Sequence, residues 1–138
     1  MTPELWWTAL TALLAASLWI PFIAGVNTAP AGSLPYDPTD MRRPSDPAAH
    51  RPWVHRAHRA HLNLLEQFMP MAVLVVIAHL AGASSAVTVW ATGLFFALRL
   101  LHAAGMITGL ALYPVRPILF TAGWACAVAV GVEILRLG

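Results

Sequence analysis

Arg56, Arg59, Asn63, Glu66 and Pro70 follow one another at spacings of three, four, three and four residues. On an α-helix that rhythm places all five on one face. An arginine fork suits a carboxylate, an amide both donates and accepts, and a carboxylate suits an ammonium. Arg59, Asn63 and Glu66 together therefore have the chemistry of a zwitterion site, for an amino acid or small peptide. The competing reading is structural: Glu66 pairs with Arg59 or with Arg99, because a buried charge needs a partner.

Three further groups could carry chemistry. Arg99 and His102 stand three apart and share a helix face. They either form the opposite wall of the same site or make a polar contact to Glu66 that joins two helices. Arg116, in the proline-broken stretch Tyr113-Pro114-Val115-Arg116-Pro117, is either a topology anchor or the electrophilic residue that stabilises a thiolate or carboxylate at the mouth of the site. His55, His58 and His61 have a spacing that could gather imidazoles, but Arg56 and Arg59 interleave with them and would repel a cation, so no metal site is expected. Glu133 and Arg136 are expected to pair with each other. The lone cysteine, Cys126, is flanked by alanines with no base near it in sequence, which makes a reactive thiol unexpected.

The elements that position these residues are set by composition. The chain has 138 residues, 59% hydrophobic and 10% charged, against about 25% charged in a typical soluble domain. Its natural solvent is a lipid bilayer. Four stretches approach the ~20 apolar residues a spanning helix needs: Leu5 to Ala24, Leu62 to Ala81, Val87 to Leu112 and Ile118 to Leu137. The first lacks a basic leader and its apolar run is long, so it reads as a span rather than a cleaved signal. The expected fold is an all-α integral membrane domain, a four-helix up-down bundle over residues 1–138. Residues 27–53 form a Pro-rich connection. The arginines of the loops fall in the first and third connections, which places those connections in the cytoplasm and both termini on the far side. A formal charge of +2 gives no case for nucleic acid.

The run from Arg56 to Pro70 also resembles a known signature. Arg56, Arg59, Ala60, His61, Asn63, Glu66 and Pro70 match the second-helix motif of the MAPEG family, membrane-associated proteins in eicosanoid and glutathione metabolism. Arg99-Leu-Leu-His102 is similar to the next family motif, and Arg116-Pro-Ile-Leu-Phe120-Thr-Ala-Gly123-Trp124 resembles the start of the fourth helix in bacterial members. The resemblance implies a homotrimer in a bacterial inner membrane, with glutathione bound between subunits near the cytoplasmic side. By position it implies that Arg59, Asn63 and Glu66 bind glutathione, that His102 and Arg116 line the same site, and that Arg56 supports it.

The sequence departs from the family pattern at Met106, where many members carry a tyrosine, at Pro117, where some carry a serine, and at Phe120, where a tyrosine is often found. Two functions follow. One is a glutathione S-transferase or peroxidase that acts on lipophilic electrophiles, with Arg116 as the catalytic residue. The other is a non-catalytic structural or accessory subunit of a larger membrane assembly.

Overall fold

The computed structural model describes residues 1–28 and 50–137. Most of the Pro-rich connection, with Arg42 and Arg43, lies outside the described residues. Five helices build the bundle: α1 (Pro3–Ser17), α2 (Trp19–Asn27), α3 (Pro52–Leu80), α4 (Ala86–Thr108) and α5 (Val115–Leu137). The pair α1–α2 forms the first of four spans long and apolar enough to cross a membrane; α3, α4 and α5 are the others.

Local chemistry sets the helix limits. Thr2 caps α1, accepting from the Leu5 amide, and Pro3 opens the helix, where its missing N–H costs nothing. The break between α1 and α2 falls at Leu18. Pro21 lacks the N–H that would bond Ser17 four residues back. Ser85 caps α4 in a reciprocal box with Thr88. Gly109 ends α4 with φ +84°, a conformation that favours glycine. The expected third span ran on to Leu112; the apolar Leu110-Ala-Leu112 stretch follows Gly109 and is no longer helix. The fourth begins three residues before the expected Ile118, because Pro117 falls in the first turn of α5, where helix amides have no partner anyway.

The core runs along α3. Val54, Ala57, Ala60, Leu64, Gln67, Met71, Val75 and Ala78 are its buried residues. Toward one end, Ala60 and Leu64 meet Ala15, Leu18, Ala103 and Met106. Toward the other, Met71 and Val75 meet Ala91, Phe95, Cys126 and Val130. Large apolar side chains such as Leu13, Met69, Leu80, Trp90 and Leu135 stay exposed, as expected of a surface that meets lipid or other membrane chains.

Polar contacts tie the end that carries the N-terminus and the 81–85 turn. Glu4 is buried and accepts from the Ser84 and Thr88 hydroxyls at 2.6 and 2.7 Å. Its carboxylate thus sits at the N-terminus of α4, the positive end of that helix. Glu133 pairs with Arg136 at 2.8 Å, as its spacing led one to expect, and also accepts from Ser85.

Candidate functional site

The buried seam of α3 passes through residues 57, 60, 64, 67 and 71. The polar stripe at 56, 59, 63, 66 and 70 is the same rhythm displaced by one residue, a rotation of about 100° around the helix. The stripe therefore faces outward. Arg59, Glu66 and Pro70 are exposed, and Arg56 and Asn63 are half-buried. The expected pairing of Glu66 with Arg59 or Arg99 is not made: among the described residues the Arg136–Glu133 contact is the ion pair present. Pro70 also lacks the amide that would bond the Glu66 carbonyl four residues back. Glu66 thus presents a carboxylate with no ion-pair partner among the described residues.

Arg56 leaves the stripe. Its Nε donates to the Met106 carbonyl at 2.9 Å and its Nη2 to the Ile107 carbonyl at 3.4 Å. These are among the last carbonyls of α4, at the negative end of the helix, and the Met106 carbonyl also accepts from the Gly109 amide at 3.2 Å. Arg56 is a C-terminal cap for its neighbour.

Arg99 and His102 come together in the interior, at 1% and 2% exposure. The alternative of a polar contact to Glu66 is not realised, because Glu66 lies on the outer face of α3. In its place is Gln67, the next residue along, 7% exposed and on the seam. Gln67 Nε2 donates to the Phe120 carbonyl at 3.0 Å, and Arg99 Nη2 donates to the Leu119 carbonyl at 2.6 Å. Both hold the first turns of α5. The Arg99 guanidinium also lies 5.8 Å from the Phe95 ring centre and 5.6 Å from that of Phe120, a cation–π arrangement that partly replaces lost hydration.

Several atoms here remain unsatisfied. Arg99 Nε and Nη1, His102 Nε2 and Gln67 Oε1 are buried with no hydrogen-bond partner. A buried guanidinium without a counter-charge costs several kcal/mol. Of these four atoms the two guanidinium nitrogens are donors that an anionic group would satisfy, whereas the Gln67 oxygen is an acceptor. Gln67 was not among the expected site residues. Its signal in the sequence is a glutamine at a core position of the α3 seam.

A separate open cavity of about 350 Å³ is lined by Asn63, Arg116, Pro117, Phe120 and Thr121. It brings Asn63 of α3 to Arg116 of α5, two residues expected to share a site. Phe120 borders this cavity and also faces the interior group, its ring centre 6.2 Å from that of His102.

This helical order, with the Arg99–His102 pair inside and the 56–70 stripe outside, meets a family match over residues 5–136, to the MAPEG family. The chain belongs to the MAPEG family. No match to a curated protein was found. Membership and the four spanning helices make it an integral membrane protein of a glutathione-related family. Within this MAPEG chain, the residues of the second-helix motif divide by place: Arg56 caps α4, Asn63 lines the open cavity, and Arg59 and Glu66 are exposed on the outer face of α3.

Proposed function

We propose that the protein binds glutathione between subunits of a homotrimer and transfers it to lipophilic electrophiles or uses it to reduce peroxides. The observation that carries this reading is Glu66 with Arg59: two ionisable side chains on the outer face of a membrane helix, without a partner in their own subunit. Helix α3 has 29 residues, about 43 Å at 1.5 Å per residue, so its first turns reach beyond a ~30 Å hydrocarbon core. Even so, such charges belong against another chain or a wet site rather than against lipid. A neighbouring copy supplies the second wall, and a zwitterionic peptide supplies the charges that Glu66 and Arg59 lack.

In this reading Glu66 takes the ligand ammonium, Arg59 a carboxylate, and Asn63 the peptide amide. Arg99 and His102 line the inner side, with Arg56 as support. Arg116 borders the open cavity beside Asn63 and stabilises the thiolate as the thiol proton passes to solvent water, the principal electrostatic contribution to such a reaction. The thiolate then attacks an electrophilic carbon delivered from the bilayer, forming the C–S bond as the carbon's leaving group departs with its electron pair as an anion. Binding of glutathione to the detergent-purified full chain tests this; no binding at about millimolar ligand, a free energy near −4 kcal/mol, would sink it.

A second reading, a structural or accessory subunit, is favoured by Met106. That side chain is 5% exposed in the core beside Ala103 and Leu64, packing where a tyrosine hydroxyl would serve a thiol. Purification in a fixed ratio with other membrane subunits, together with no glutathione binding, supports this reading.

A further inference from the structure

Glu4 keeps one carboxylate oxygen unsatisfied. The residue is buried, and its Oε1 accepts from the Ser84 and Thr88 hydroxyls. Its Oε2 is buried without a hydrogen-bond partner. Among the described residues Arg136–Glu133 is the ion pair present, so no described cation neutralises Glu4. Glu4 also lines a cavity of about 40 Å³, together with Val75, Ala78, Ala83 and His79. This cavity lies at the other end of the spans from Asn63 and Arg116 and owes nothing to the glutathione reading. We propose that it takes the primary ammonium of an ethanolamine phospholipid headgroup, with Glu4 as the acceptor.

The lining selects the kind of cation. A bare calcium or magnesium ion asks for about six oxygens, whereas Val75, Ala78 and Ala83 offer hydrocarbon side chains. An alkylammonium suits both parts: its N–H groups need a charged acceptor, and its methylenes need an apolar wall. The volume is about three times the ~10–15 Å³ that a single water requires, room for the ammonium and the carbon that bears it. The position selects the source. Glu4 stands in the first turn of α1 and His79 in the last turn of α3, so the cavity lies where a bilayer presents its headgroups. Trp6 and Trp90, each within two turns of the same end, are exposed, as interfacial tryptophans are. His79 is exposed as well, and its imidazole donates to the phosphate two carbons beyond the ammonium.

The test compares two lipids. The full chain, stripped of lipid in detergent, is titrated with phosphatidylethanolamine and with phosphatidylcholine of the same acyl chains, and bound lipid is counted by native mass spectrometry. The choline headgroup keeps the charge and the phosphate but has no N–H. The ethanolamine lipid is expected to bind about tenfold or more tightly, the factor that one charged hydrogen bond commands. Glu4→Gln retains an oxygen for the Ser84 and Thr88 hydroxyls but loses the charge, and is expected to erase the preference. His79→Ala, at an exposed position, is expected to weaken the ethanolamine lipid about threefold, as one neutral hydrogen bond would. Free ethanolamine, which has the ammonium but no acyl chains, is expected to compete only in large excess. Equal binding of the two lipids by the unaltered chain, a preference that survives Glu4→Gln, an unchanged ethanolamine-lipid affinity in His79→Ala, or displacement by equimolar free ethanolamine overturns the proposal.

Discussion

Gly123 faces Arg99 so closely that a methyl group on it would stand 2.8 Å from Nη2. The same methyl would stand 2.7 Å from Gln67 Oε1. The interior group exists because α5 has no side chain at that point. The guanidinium and the amide occupy the space a Cβ would fill.

The first prediction concerns that space. Gly123→Ala is expected to destabilise by about 1–3 kcal/mol, the usual cost of overpacking. Gly131→Ala on the same helix has its nearest neighbour, Leu74, at 3.8 Å, and is expected to be neutral or to stabilise by about 0.5–1 kcal/mol through helix propensity. Thermal unfolding in detergent reads both. Equal effects at the two positions would contradict the packing described around Arg99.

A second prediction separates Arg56 from Arg59. Arg56 makes two hydrogen bonds to the end of α4, so Arg56→Ala is expected to cost about 1.5–3 kcal/mol in stability, the range for charged hydrogen bonds. Arg59 is exposed and makes no such bond. Arg59→Ala is expected to leave subunit stability within about 0.5 kcal/mol while weakening glutathione binding. Melting temperature and binding, measured on both variants, would show opposite patterns. A large stability loss in Arg59→Ala would remove it from the ligand role.

The opposite end of the bundle gives a third. Glu4 is buried and accepts from two hydroxyls, so Glu4→Ala leaves the Ser84 and Thr88 hydroxyls without that acceptor and is expected to cost about 1–3 kcal/mol. In the Glu133–Arg136 pair the arginine is 64% exposed, and Arg136→Ala is expected to cost no more than about 1 kcal/mol. Neither change is expected to alter glutathione binding, because both lie at the other end of the spans from Asn63 and Arg116. Loss of binding in Arg136→Ala would place the site wrongly.

The bundle was legible in the sequence because apolar length alone sets the number of spans. The spacing of Arg56, Arg59, Asn63, Glu66 and Pro70 also showed correctly that they share a helix rhythm. What spacing could not show was the direction of that face. Interior and stripe differ by one residue step, and both are compatible with a membrane helix whose polar face meets another chain. Glu66 reads as the buried carboxylate, yet Gln67 is the residue on the seam. Arg56 shares the spacing of the stripe but is drawn away by the C-terminal carbonyls of α4, a contact across 50 residues that no local pattern encodes. Gly123 carried no expected role, because its importance is the absence of a side chain facing a guanidinium from another helix.

The central claim is that the outward Arg59–Glu66 face holds glutathione, and equilibrium dialysis of the purified chain against labelled glutathione tests it most directly. Saturable binding is expected, with Glu66→Gln weakening it about tenfold or more, the loss expected when a charged hydrogen bond to an ammonium is removed, while the melting temperature of the unliganded protein stays unchanged. Binding that is absent, or that Glu66→Gln leaves intact, would contradict the account.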